Sequence, residues 1–294
     1  MNKIKFLMIK MFNFYLLLLI SPIFSSEIQY RDMQRYVAAY PDTIERIEDN
    51  YLIWKNGSRM PMQKHLPCCD LKESLKNPDL YRQLSIPYKT NNECGAFIPL
   101  ENEDPGRIRD TEFFDIMYGR SKEEIEQNLV MIDWMPLTFG ENTKKLAITQ
   151  INNVDKKLQS ISSDLDRLVL NNPDFKPFLS NPGGTFCYRT IAGTDRRSCH
   201  SYGMTIDINV EHSHYWLWDY NKKNKNTDPR SAVLEEDIPS DLIPTYTNNI
   251  PIEIVSIFET YGFIWGGKWY HYDTMHFEYR PELLTKLEEN NEDM

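Results

Sequence analysis

The sequence predicts an α+β fold, and three observations predict it. Residues 205–210 and 275–279 alternate apolar and polar side chains, the period of a half-buried strand. Residues 154–170 and 251–261 carry apolar groups at helical spacing. The stretch between 61 and 110 is rich in Pro, Asn and Asp and carries neither pattern, so a loop-rich region precedes the ordered part.

Residues 27–60 mix polar and aromatic groups, with a strand expected at Tyr51–Trp54 before the turn Asn56-Gly57. Asn56-Gly-Ser58 also matches a glycosylation acceptor, but it reads better as that turn. Helical patterns are expected at 111–118 and 122–130. In 154–170 the apolar set is Leu158, Ile161, Leu165, Leu168 and Val169, opposite a polar face, and Asn171-Asn172-Pro173 ends the helix. Residues 185–210 read as β-rich with an internal loop. Ile206, Ile208 and Val210 alternate there with Asp207 and Asn209, which places Asp207 on the polar face. Residues 221–250 are polar and turn-rich and read as an insertion. The helix at 251–261 has Asn248 or Asn249 as a cap, Pro251 in its first turn, Gly262 after its end, and a stripe of Ile254, Val255, Phe258 and Tyr261. In the last strand His276 and Glu278 share the face opposite Met275, Phe277 and Tyr279. A closing helix is expected over 281–289.

The 294 residues suffice for one large domain or two small ones. A hydrophobic content of 41% and a charged content of 26% are ordinary for a folded chain, and a net charge of −10 argues against nucleic-acid binding. Residues 1–26 read as an export signal: Lys3, Lys5 and Lys10, then the apolar run 12–20, then Ser21-Pro22 and the small pair Ser25-Ser26. Cleavage there would take the net charge to −13, since the segment holds three lysines and no acid. The run is short for a membrane span, which needs roughly 20 residues. The only membrane association expected is through this segment if it is not removed. The expected location is exported, periplasmic or extracellular. The division is then 1–26 signal, 27–145 a loop-rich region, and 146–294 a domain interrupted by the insertion 221–250.

Five cysteines, Cys68, Cys69, Cys94, Cys187 and Cys199, leave at least one unpaired within a monomer. Cys187 with Cys199, and Cys94 with one of the adjacent pair, are possible bridges; the alternative is that all are free thiols.

The chemistry concentrates in two segments. His200 lies seven residues before Asp207, with Gly203 between them to let the chain turn closely. His276 follows Asp273 by three. Two imidazoles and one carboxylate, His200, Asp207 and His276, make a three-ligand zinc set with a coordination position left open, as in catalytic sites. Asp273 is placed to act as base on a water there. His212 and His214 lie two apart and read as a solvent-facing pair. His271 reads as a substrate contact or a turn cap, and His65 as a loop residue. Trp216, Trp218, Trp265 and Trp269 read as groove walls or core. No H-E-x-x-H helix occurs, which excludes the thermolysin-like arrangement.

Cys187-Tyr-Arg189-Thr-Ile-Ala-Gly-Thr-Asp-Arg-Arg-Ser198-Cys-His200-Ser-Tyr-Gly203-Met-Thr-Ile-Asp207 resembles the S-x-H-x-x-G-x-A-x-D signature of bacterial zinc D-alanyl-D-alanine carboxypeptidases. Gly262-Phe-Ile-Trp-Gly-Gly-Lys-Trp-Tyr-His-Tyr-Asp273-Thr-Met-His276-Phe-Glu278 resembles their second signature. The likeness runs from about Phe186 to Pro281, with a weaker similarity in the N-terminal half at Tyr51-Leu-Ile-Trp-Lys-Asn-Gly-Ser58 and Asp104-Pro-Gly-Arg-Ile-Arg109. It implies a small antiparallel sheet with helices packed beside it. It also implies His200, Asp207 and His276 as zinc ligands, Asp273 as base, and Arg189 as the oxyanion or substrate cation. Ser198, two residues before His200, is read as a substrate contact or as a group orienting a ligand. The implied partner is the peptidoglycan stem peptide. Thr205 replaces the usual alanine, and Asp273 stands where carboxypeptidases often have glutamate. That aspartate resembles the L-alanyl-D-glutamate endopeptidase branch, which is the rival activity. A zinc-containing wall-binding module without turnover is the rival class.

Overall fold

The structure is a computed structural model and describes residues 32–64, 70–90, 98–191, 196–223 and 244–286. The export segment, His65, Cys68, Cys69, Cys94 and most of the insertion lie outside those residues. No helix among the described residues is long and apolar enough to cross a membrane.

The fold is α+β. Helix α1 covers 32–39 and leads into a meander of β1 (Ile44–Glu48), β2 (Tyr51–Trp54) and β3 (Arg59–Pro61). The turn between β2 and β3 forms as its sequence requires: Asn56 Oδ1 accepts from the Ser58 amide at 2.9 Å and Gly57 takes a φ of +83°. The loop-rich stretch after it holds two short helices, α2 (Leu71–Lys76) and α3 (Leu80–Gln83), each capped by an aspartate, Asp70 and Asp79.

Helices α4 (Thr111–Tyr118) and α5 (Lys122–Glu126) follow. The helix expected to reach residue 130 stops at Glu126, because residues 129–134 form strand β4 (Leu129–Trp134). It pairs antiparallel with β5 (Lys144–Thr149) over six residue pairs, and α6 (Pro136–Phe139) lies in the connection. The ladder satisfies backbone groups that a longer helix would also have satisfied, while β-branched Val130 and Ile132 favour the strand.

Helix α7 (Val154–Asn171) buries Leu158, Ile161, Leu165 and Val169 along one face. Helix α8 (Lys176–Leu179) then precedes a four-stranded antiparallel sheet of β6 (Pro182–Gly184), β7 (Thr205–Asn209), β8 (Phe263–Trp265) and β9 (His276–Tyr279), in the order β6-β7-β9-β8. Helices α9 (Trp216–Lys223) and α10 (Ile252–Thr260) come between β7 and β8 in the chain. The expected asparagine cap of α10 is not used. Asn248 Oδ1 accepts from the Ile250 amide and Asn249 Nδ2 meets His214, so Pro251 stands at the cap without a side-chain bond. The final helix, α11, is only Pro281–Leu284 within the described residues, where Thr285 turns to an extended conformation.

One buried cluster takes in residues from both sides of position 145, among them Tyr36, Tyr40, Trp54 and Phe113 together with Leu158, Ile206, Phe258 and Phe277. Phe258 stacks on Phe277 with centroids 3.9 Å apart, fixing α10 against β9. Tyr40 meets Tyr279 edge-on at 6.2 Å, fixing the N-terminal region against the same strand.

Candidate metal centre

The sheet brings the two signature segments together. Asp207 on β7 and His276 on β9 are register partners, so both side chains stand on one face. His200 comes from a 3₁₀ turn, Cys199–Tyr202, just before β7. Gly203 closes that turn at φ +63°, and its amide bonds the His200 carbonyl at 3.2 Å. A Cβ at Gly203 would come within 2.6 Å of the Leu129 side chain, so the tight packing against β4 also favours glycine.

His200 Nε2, His276 Nδ1 and Asp207 Oδ1 converge. The separations are 3.1 Å (His200 to Asp207), 3.0 Å (His276 to Asp207) and 3.2 Å (His200 to His276). This cluster, with one ligand atom from each residue and all within 4.8 Å of one another, could hold a metal ion. The nitrogen of each ring facing away is held: His200 Nδ1 donates to the Thr185 carbonyl at 2.9 Å, and His276 Nε2 donates to Glu278 at 3.0 Å. Those bonds fix which nitrogen faces the cluster.

Electrostatics follow from this crowding. Burial works against a charged His276, but the Asp207 and Glu278 carboxylates outweigh it and push the imidazole up to about 10. Burial likewise opposes the Asp207 charge, and the two histidines overcome it and hold the carboxyl below its usual range. Asp273 goes the other way. Burial, and then the charge of Asp207, push it up to about 6. Its Oδ1 is buried with no hydrogen-bond partner among the described residues. The Asp273 backbone is fixed by its amide donating to the Gly266 carbonyl at 3.0 Å, and its own carbonyl would lie 2.5 Å from a Cβ on Gly266.

The other expected residues occupy distinct places. Ser198 is buried and caps the His200 turn, its hydroxyl accepting from the His200 amide. The Arg189 backbone is pinned beside His200, its amide donating to Ser201 Oγ at 2.9 Å and its carbonyl accepting from the Ser201 hydroxyl. The Arg189 side chain is exposed, and its guanidinium donates to the Thr190 carbonyl at 3.4 Å. His271 Nδ1 pairs with Asp104 at 2.7 Å. His214 meets Asp219 and Asn249, while the His212 ring lies against Phe178. Trp265, Trp269 and Trp216 are buried and Trp218 is exposed. The Trp269 ring lies 5.6 Å from that of His276. Cys187 and Cys199 are free thiols, the first exposed and the second buried, with burial pushing Cys199 up to about 12.

Sequence reasoning did not assign the groups contributed by residues 104–109. Asp104 is fully buried and accepts from the His271 amide at 3.0 Å and from Arg107 at 3.0 Å. Burial opposes its charge, but Arg107 and then His271 hold it down to about 2. Arg107 also acts electrostatically on Asp273. Arg109 grips Glu278, at 2.5 and 3.3 Å. The only advance signal was the weak likeness of Asp104-Pro-Gly-Arg-Ile-Arg109.

Neither a curated protein nor a solved structure matches the chain. Residues 192–279 match the model of a family described as D-alanyl-D-alanine carboxypeptidase. That stretch contains His200, Asp207, Asp273 and His276, and the match supports reading the chain as a peptidase of that family.

Proposed function

We propose that the chain is a zinc-dependent peptidase acting on the stem peptide of bacterial peptidoglycan, with the reaction of a D-Ala-D-Ala carboxypeptidase. The observation that carries this reading is the convergence of His200 Nε2, His276 Nδ1 and Asp207 Oδ1 beside Asp273. Two imidazoles and one carboxylate suit zinc, and three protein donors leave room for water or substrate. The partnerless buried Oδ1 of Asp273 fits the same picture, because a buried acceptor of that kind is costly unless something meets it. A bound zinc ion would acidify a water and polarise the substrate carbonyl.

The chain's own residues supply the remaining steps. Asp273, half-buried and beside Asp207, has the raised basicity that a proton acceptor needs near neutral pH. It takes a proton from the attacking water and delivers one to the leaving amine. Thr185 and Glu278 hold the two imidazoles in their tautomers throughout. Arg189, on a backbone pinned at Ser201, is the cation assigned to the oxyanion or the substrate carboxylate, and Ser198 the adjacent polar contact. Export through residues 1–26 would deliver the enzyme to this substrate.

Aspartate at position 273 favours a second reading, an L-alanyl-D-glutamate endopeptidase. Mass spectrometry of muropeptides, after incubation of residues 27–294 with peptidoglycan, separates the two. Chelator-sensitive loss of a terminal alanine supports the carboxypeptidase; chelator-sensitive cleavage between L-alanine and D-glutamate supports the endopeptidase. No new product from protein that carries zinc would overturn both and favour a wall-binding module.

A further inference from the structure

A line of buried charged groups runs from the metal centre to the N-terminal region. His276 Nε2 donates to Glu278 Oε2 at 3.0 Å. Glu278 is gripped from two sides, by Arg109 Nη2 at 2.5 Å and by Arg280 Nη1 at 2.9 Å. Arg280 Nε continues to Glu282 at 2.5 Å, and Glu282 accepts from the Tyr40 hydroxyl at 2.5 Å. Glu278, Arg280, Glu282 and Tyr40 are all fully buried, and Arg109 is largely so. Two carboxylates face two guanidiniums, so the set is neutral before His276 is counted.

Burying four such charges is expensive, and ion pairs in protein interiors are often no more stabilising than apolar side chains of the same volume. A stability role is therefore a weak reason for the set. Its geometry offers a better one. The carboxylate that fixes the His276 tautomer is itself fixed on two sides, and one of the two guanidiniums comes from a segment 169 residues away in the chain. The Arg109 guanidinium also lies over the Trp269 ring, 5.6 Å from its centroid, and that ring neighbours His276.

We infer that Arg109 is a positioning residue for the metal ligand His276, acting through Glu278, so that residues before position 145 complete the metal centre. This rests on the metal-site reading above. Arg109 holds both Glu278 oxygens, so the carboxylate cannot swing away from His276 Nε2, and His276 Nδ1 stays aimed at Asp207 and His200. Outer partners of metal-bound histidines typically contribute roughly 10–100-fold in metal affinity.

The test is the zinc dissociation constant of the full chain, from competition with a chromophoric chelator, on protein shown to be folded by circular dichroism. Glu278→Gln keeps an acceptor for His276 but removes the charge, and should weaken zinc binding by roughly 10–100-fold. Because Glu278→Gln leaves two buried guanidiniums short of a partner, Arg109→Gln is the second variant. It leaves Arg280 on Glu278 and should weaken zinc binding about tenfold. Tyr40→Phe removes the far end of the line; it should lower the melting temperature of the metal-free protein and leave zinc affinity unchanged. If Arg109→Gln and Glu278→Gln lower only the melting temperature, at unchanged zinc affinity, the groups are structural and the inference is overturned. If the wild-type chain binds no zinc, the metal-site reading fails and the inference with it.

Discussion

Asp207 and His276 face each other as direct register partners on neighbouring antiparallel strands, and their side chains meet at 3.0 Å. Two of the three converging side chains are thus set by one ladder, and only His200 depends on a turn. A one-residue slip between β7 and β9 would send one of the two to the opposite face. Replacement of Asp207 by Asn should therefore keep the ladder and remove the charge. We expect zinc content, measured by elemental mass spectrometry, to fall from about one ion per chain towards zero with the far-ultraviolet circular dichroism unchanged. Retention of a full equivalent of zinc would exclude Asp207 as a ligand.

Asp273→Asn separates the proposed base from the proposed metal site. Its carboxyl is raised to about 6 in the fold, against about 3.9 in an unfolded chain. A raised carboxyl costs nothing below the unfolded value and costs most above the folded one, so the penalty develops between about pH 4 and pH 6. The asparagine variant should keep zinc and lose hydrolysis. In its metal-free form it should be more stable than wild type at pH 7.5, by on the order of 3 kcal/mol for a shift of about two units, and equally stable at pH 4. A variant that still hydrolyses would end the case for Asp273 as base.

Proton competition sets the pH dependence of metal binding. His276 is pushed up to about 10, so at neutral pH the metal-free ring carries a proton that an incoming ion must displace. Affinity should rise with pH, by about tenfold per unit between pH 6 and pH 8 for one displaced proton. Isothermal titration in two buffers of different ionisation enthalpy would count that proton. A pH-independent affinity with no proton released would contradict the pairing of His276 with Asp207 and Glu278.

The sequence carried the parts of this arrangement that rest on local spacing. Leu158, Ile161 and Leu165 marked α7, and the alternation at Ile206, Asp207 and Ile208 marked β7 and the face its carboxylate occupies. What it did not carry has a physical pattern too. Strand β6 is Pro-Gly-Gly, whose place in the sheet owes more to Gly183, where a Cβ would come within 3.1 Å of the Asp207 side chain, than to any strand propensity. Strand β4 begins in a stretch whose charged residues suit a helix. Arg109 and Glu278 are 169 residues apart, and no periodicity reports a contact of that range. Glu278 was visible on the His276 face, but its partners were not.

Gly266 offers a test of how tightly Asp273 is placed. A Cβ there would come within 2.5 Å of the Asp273 carbonyl oxygen and 3.0 Å of the Trp269 ring. Backbone cannot yield as a flexible side chain does, so Gly266→Ala must push residue 273 away or unpack Trp269. Trp269 is buried and its indole N–H donates to the Pro105 carbonyl at 2.6 Å, so the ring is held as well, and the closer clash falls on residue 273. A displacement of about 1 Å in a catalytic group typically costs on the order of 100-fold. We expect kcat to fall by that order while zinc content is retained. Unchanged kcat would mean that the carboxylate reaches the reacting water from more than one backbone position.

Arg189 differs from the other site residues in having an exposed side chain, so its removal tests its role without disturbing the core. Its backbone is pinned at Ser201 while its side chain is exposed, with the guanidinium donating to the neighbouring Thr190 carbonyl. Arg107, by contrast, is nearly buried and already bonded to Asp104. If Arg189 stabilises the developing oxyanion, Arg189→Ala should lower kcat by roughly 100–1,000-fold with zinc affinity unchanged. If it binds a substrate carboxylate alone, the loss should fall on KM. Arg107→Ala is the necessary companion, because it removes the cation that acts on Asp273 and the support of Asp104 and His271 together. Full activity in Arg189→Ala, with loss in Arg107→Ala, would end the oxyanion role of Arg189 and place the needed cation in the buried Asp104–Arg107 pair that acts on Asp273.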